Sequence, residues 1–195
     1  MTNPDKLAIA LDAIDAANAL DPNKEIIHDT EIPKELIYGQ RMSETLGEFA
    51  PNASEHLQIA ARAQHIERWK SARSDYPEGR SGYKKWRSQL SLFHAQRAGE
   101  IASEAGYGES DVERVKFLVQ KRQLKRDSET QTLEDVACLV FLKHYFIDFA
   151  AKHKEEKLID IVQKTWGKMS ENGQNTALKI DFPEEILIIL KKSLT

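Results

Sequence analysis

Leu57-Gln58-Ile59-Ala60-Ala61-Arg62-Ala63-Gln64-His65-Ile66-Glu67-Arg68-Trp69 is the stretch on which the fold turns. Leu57, Ile59, Ala60, Ala61, Ala63 and Ile66 leave it no wholly polar face, the mark of a helix buried all round. The spacing predicts a central helix over 53–72. At about 3.6 residues per turn, Gln64 falls beside Leu57, Ala61 and Arg68, and His65 lies with Ala61, Arg62 and Trp69. An amide and an imidazole thus point into crowded surroundings, where each needs a hydrogen-bond partner, either in the core or on a ligand.

Working outward, helical spacing recurs. Leu7, Ala10, Leu11, Ile14 and Ala17 predict a helix over 4–19, ended by Asp21-Pro22-Asn23. A polar loop with His28-Asp29-Thr30 leads to a helix over 33–49, with Pro33 in its first turn. Beyond the central stretch, 73–82 reads as a loop around Tyr76-Pro77-Glu78-Gly79, able to lie over a pocket. Helices are then expected over 83–104, 110–124, 133–150 and 155–169, and a last one from Pro183 to Lys191-Lys192. No run alternates apolar and polar over strand length, so the class is all-α. At 195 residues the chain suits one helical domain.

Apolar residues make up 41% and charged residues 30%, ordinary for a globular chain. The longest apolar runs, Ala137–Leu142 and Ile186–Leu190, are far short of the roughly 20 residues that cross a bilayer. With Asp5, Asp12 and Asp15 near the start, no secretory leader is read, so a cytoplasmic protein without a membrane partner is expected. Cys138, in an apolar run, reads as a packed thiol.

The net charge of −3 hides an asymmetry. Residues 62–126 hold 15 Lys and Arg against 8 Asp and Glu, a surplus of +7, which leaves −10 for the flanks. A solvated face explains such a run, but this one also carries Trp69, Tyr76, Tyr83, Trp86, Phe93 and two histidines. Cations interleaved with aromatics suit a phosphate joined to a ring.

Phosphate-binding glycine loops, paired C-x-x-C, H-E-x-x-H and G-x-S-x-G are all missing, which leaves the usual enzyme signatures unsupported. The candidates are polar residues on helices expected to be buried. His65, His94 and Glu134 are the catalytic candidates, the two histidines to handle protons or a metal. Tyr38, Arg41, Gln64, Arg68, Arg73, Tyr83, Arg87, Lys121 and Lys125 would bind a substrate and neutralise its phosphate. Each has a plainer reading: core histidines for His65 and His94, a dipole-favoured acid in a first helical turn for Glu134, and packing with a snorkelling stem for Tyr83 and Arg87. His144 and Asp148, one turn apart, read as a structural pair.

Ile59-Ala60-Ala61-Arg62-Ala63-Gln64-His65-Ile66-Glu67 resembles the L-A-A-x-x-H-D-I-G helix of the HD superfamily of metal-dependent phosphohydrolases, with Gln64-His65 in place of the His-Asp pair. The resemblance implies an HD-like core of about seven to eight helices. It also places the first metal-binding His near Tyr38 and the last Asp near Lys143 or His144, while His94 matches an additional His unchanged. Neither phenol nor amide replaces imidazole and carboxylate as a metal ligand, so a divalent metal is possible in principle and not favoured.

At whole-chain level, Tyr38-Gly39-Gln40-Arg41-Met42-Ser43, Arg62–Trp69, Gly82-Tyr83-Lys84-Lys85-Trp86-Arg87 and Gln131–Leu142 resemble a bacterial, fungal and plant family catalogued as domain of unknown function 4202. Two expectations follow for function. One is an enzyme that hydrolyses or transfers a nucleotide-like or phosphorylated small molecule. The other is a non-catalytic module whose basic face binds RNA or a nucleotide, with phosphate contacts dominant. The sequence leaves the oligomeric state open.

Overall fold

The computed structural model describes residues 5–194, which are all-α apart from one short hairpin. Contacts divide the chain into two compact units, the first ending at Arg122 and the second beginning at Gln123.

In the first unit, α1 (Lys6–Asn18) starts where the Asp5 carboxylate accepts the Leu7 N–H at 3.1 Å. An antiparallel hairpin follows, β1 (Lys24–Ile27) against β2 (Thr30–Pro33), with Ile27 opposite Thr30. The expected polar loop is this hairpin. Its two connecting residues, His28 and Asp29, have φ of 47° and 62°, the left-handed pair that a tight two-residue turn requires and that short polar side chains tolerate. Strands of four residues are too brief to show alternation in sequence.

Then come α2 (Lys34–Phe49), α3 (Glu55–Arg62), α4 (Gly79–Glu104) and α5 (Glu109–Val119). Ile14, Met42, Leu46, Ile59, Ile66, Ile101 and Leu118 form the buried core between them. Pro33 offers α2 no side-chain cap, and the orphan N–H of Glu35 is met instead by Asp21 Oδ2 at 3.0 Å.

The central helix is shorter than its sequence pattern predicts. It stops at Arg62, and the chain tightens into i→i+3 turns, with Ile66 N–H donating to Ala63 O at 3.0 Å and Arg68 N–H to His65 O at 3.1 Å. Tertiary partners win over continued helix here. Arg62 makes a two-pronged pair with Asp15 on α1, both contacts at 2.7 Å, and the backbone turns left-handed at Glu67, φ 52°.

The second unit contains α6 (Ser128–His144), α7 (Phe146–Ala150), α8 (Glu155–Lys168), α9 (Glu171–Ala177) and α10 (Glu184–Leu194). Asp127 caps α6 by accepting the Thr130 N–H at 2.9 Å, so this helix begins five residues before the apolar run that marks it in sequence. Buried Asp135 accepts from the Ser170 N–H at 2.7 Å and the Ser170 hydroxyl at 2.6 Å, which fixes α9 on α6. Cys138 is buried. A cavity of about 310 Å³, lined by Leu142, Trp166, Phe182, Leu187, Leu190 and Lys191 among others, is apolar apart from that one ammonium. Among the described residues no helix is long and apolar enough to cross a membrane.

One close approach sets the geometry of the first unit. A Cβ on Gly39 would lie 2.9 Å from Arg62 O, a backbone atom at the end of α3, so α2 reaches α3 only because residue 39 has no side chain. Gly39→Ala is expected to destabilise the chain by about 1–3 kcal/mol through this overlap, read as a lowered midpoint in thermal or urea unfolding.

Candidate functional site

The turn that ends α3 carries the chemistry of the first unit. His94, buried on α4, has Nδ1 2.7 Å from Ile66 O. A carbonyl only accepts, so Nδ1 bears the hydrogen and Nε2 is left with a lone pair. That Nε2 is buried and meets no partner in the structure. From the other side the Asn18 side-chain oxygen, on α1, accepts the Glu67 N–H at 2.9 Å. The buried Glu67 carboxylate is balanced by Lys70 at 2.7 Å and Arg97 at 3.3 Å.

Between these two anchors stands His65. Its Nδ1 lies 3.4 Å from Glu35 Oε2, its ring stacks on Tyr38 with centroids 3.9 Å apart and planes 12° from parallel, and the His94 ring is 6.1 Å away. The side chain keeps 26% of its surface exposed, against 8% for Glu35. Burial, then the charges of Arg68, Lys121, Arg87 and Lys34, hold the His65 imidazole well below the usual histidine range, so it is neutral near pH 7. His94 is pushed down to about 3, by burial first and then by His65, Arg68 and Arg87 against the opposing bond to Ile66.

Glu35 moves the other way. Burial raises its carboxyl to about 7, with Asp21 adding to the rise and Arg68 and Lys34 opposing it. A carboxyl and an imidazole side by side, both close to neutral, can give and take a proton.

Most of the candidates named from sequence on this side of the chain gather here: Tyr38, His65, Arg68, Arg87, His94 and Lys121. Arg68 is pinned over the Trp86 ring at 5.0 Å, while the Trp86 indole N–H donates to Ser71 O at 3.1 Å. Tyr83 packs against Trp86 with centroids 5.9 Å apart and is 49% exposed. Lys121 follows α5 in a left-handed conformation, φ 53°. Gln64 donates to Val119 O at 3.2 Å and ties the turn to the end of α5, while its own side-chain oxygen is buried without a partner. The inward placement of Gln64 and His65 holds, although both lie past the helix rather than on it.

Other candidates have different work. Arg41 pairs with Glu25 of the hairpin at 2.7 Å. Arg73 donates to Tyr76 O and Pro77 O at 2.9 and 3.0 Å and shapes the turn before α4. In the second unit Lys125 donates to Met169 O at 2.9 Å, and buried Glu134 lies 3.3 Å from Lys168. Sequence reasoning missed Glu35 and Lys34. An acid in the first turn of a helix ordinarily complements the helix dipole, and nothing local marks this one as buried.

A family model described as Domain of unknown function (DUF4202) matches residues 8–190. The chain belongs to this family. The DUF4202 segment runs through both units and includes every residue of the His65 cluster. No curated protein and no solved structure matches the chain.

The raised Glu35 carboxyl makes a signed prediction for this DUF4202 chain. Its folded value of about 7 lies above the ordinary 4.5, so the folded state favours the proton, and the associated stability is lost as pH rises through that window. Relative to a Glu35→Gln variant, the wild type is expected to lose on the order of 3 kcal/mol between pH 4.5 and 8, measured by urea unfolding at each pH. A difference that stays flat would show that Glu35 is not a buried, protonated acid.

Proposed function

We propose that the first unit binds a phosphorylated small molecule, nucleotide-like in character, beside His65, and that it hydrolyses the phosphoryl group or transfers it. The observation that carries this reading is the convergence of Arg68, Lys121, Arg87 and Lys34 on one neutral imidazole and one half-protonated carboxyl. Cations gathered at one site favour an incoming anion. Arg68 and Arg87 add guanidinium groups, the side chains best matched to phosphate oxygens. Tyr83, half exposed beside Trp86, offers a ring face near this charge.

The HD resemblance supports a phosphoester substrate and leaves the metal out. Among the described residues no group of three or more His, Cys, Asp or Glu could hold an ion. The charges acting on His65 are positive and would repel one. These residues do not fit a divalent metal.

Calorimetry at fixed ionic strength, with inorganic phosphate, pyrophosphate and a panel of nucleoside phosphates, tests the reading. Arg87 is exposed, so Arg87→Ala is expected to leave the fold intact and to weaken phosphate binding about tenfold, the loss of roughly one charge-assisted hydrogen bond. Full retention of affinity, or no binding of any phosphate, would overturn it. Affinity confined to structured RNA and falling steeply with salt would instead support the non-catalytic nucleic-acid reading.

A further inference from the structure

We propose that His65 is itself the phosphoryl acceptor, its Nε2 attacking the phosphorus of the bound ester so that the reaction passes through an N-phosphohistidine. This deepens the function proposed above and rests on it.

Three observations carry the inference. The ring is held in one orientation, stacked on Tyr38 at 3.9 Å with Nδ1 facing Glu35 Oε2 at 3.4 Å, so Nε2 is the nitrogen left for chemistry. The side chain is about a quarter exposed, at 26%, whereas His94 is 3% exposed and committed to Ile66 O. His65 is therefore the imidazole of this pair that a substrate can reach. Burial and then the surrounding cations keep a proton off the ring, and the cations attract the phosphate, which suits a neutral nitrogen nucleophile.

Glu35 acts as a positioning residue. When ionised it accepts from Nδ1–H, leaving the lone pair on Nε2. When protonated it donates to Nδ1 instead and moves the ring hydrogen to Nε2, which is then unreactive. The groups that face this pair are Asp21 before the hairpin, Lys34 on α2, Arg68 after α3, Arg87 and His94 on α4, and Lys121 after α5.

The step balances without a metal or redox partner. The Nε2 lone pair forms the N–P bond as the P–O bond to the leaving group breaks. That oxygen keeps the electron pair and takes a proton from water. The positive ring is balanced by the Glu35 carboxylate at Nδ1. A second water attacks phosphorus, the N–P electrons return to the ring, the proton this water loses neutralises the hydroxide left by the first, and inorganic phosphate leaves.

The test uses the wild-type chain and phosphoramidate, a small phosphoryl donor whose leaving group is ammonia. Modification is mapped by mass spectrometry under non-acidic conditions, with exposed His28 and His153 of the same chain as internal references. His65 is expected to be phosphorylated at least about tenfold faster than either, with the rate rising as Glu35 ionises through pH 7, and with inorganic phosphate slowing His65 alone. Glu35→Gln, whose amide oxygen still accepts from Nδ1–H, should flatten the pH profile and keep the selectivity. Reaction at His65 no faster than at His28 and His153 overturns the proposal. Calorimetry with inorganic phosphate on the same sample separates the two failures: binding with an inert His65 removes only the covalent step, and no binding removes the site as well.

Discussion

The turn at Ile66 and Glu67 is the constraint on which the rest depends. Its carbonyl is held by His94 Nδ1 and its next N–H by the Asn18 amide, from helices on opposite sides in the chain order. A non-glycine residue in the left-handed region persists only where its surroundings over-determine it. Here they do, through two backbone hydrogen bonds and a buried carboxylate that meets both Lys70 and Arg97.

That local geometry produces the electrostatics. Burial pushes the carboxyl up and the imidazole down, and nearby cations lower both, favouring the carboxylate and the neutral ring. Burial sets the difference between the pair, and Arg68 lowers both, drawing Glu35 toward ionisation and His65 away from it. Arg68 lies over the Trp86 ring, and Trp86 is tied by its N–H to Ser71. The result is a neutral nitrogen and a titrating carboxyl in a positive field.

Chemistry and apolar volume lie in different parts of the chain. The 310 Å³ cavity of the second unit has one charged side chain in its wall and no convergent polar groups, whereas the titrating cluster belongs wholly to the first unit. In the second unit the polar work is structural: Asp135 holds Ser170 and the start of α9.

The sequence by itself determined the helical class, most helix positions, the buried character of Gln64, and the basic block around it. Those follow from periodicity and charge, which act over one or two turns of chain. It did not reveal the hairpin, whose strands are too short to alternate, nor the early end of α3, which depends on Asp15 and Asn18 of α1. Glu35 was decided by tertiary structure alone: a first-turn acid looks the same in sequence whether solvent or His65 stands beside it. Burial and the distance between residues 35 and 65 are properties of the packed chain, and they turn an ordinary carboxylate into one that titrates near neutrality.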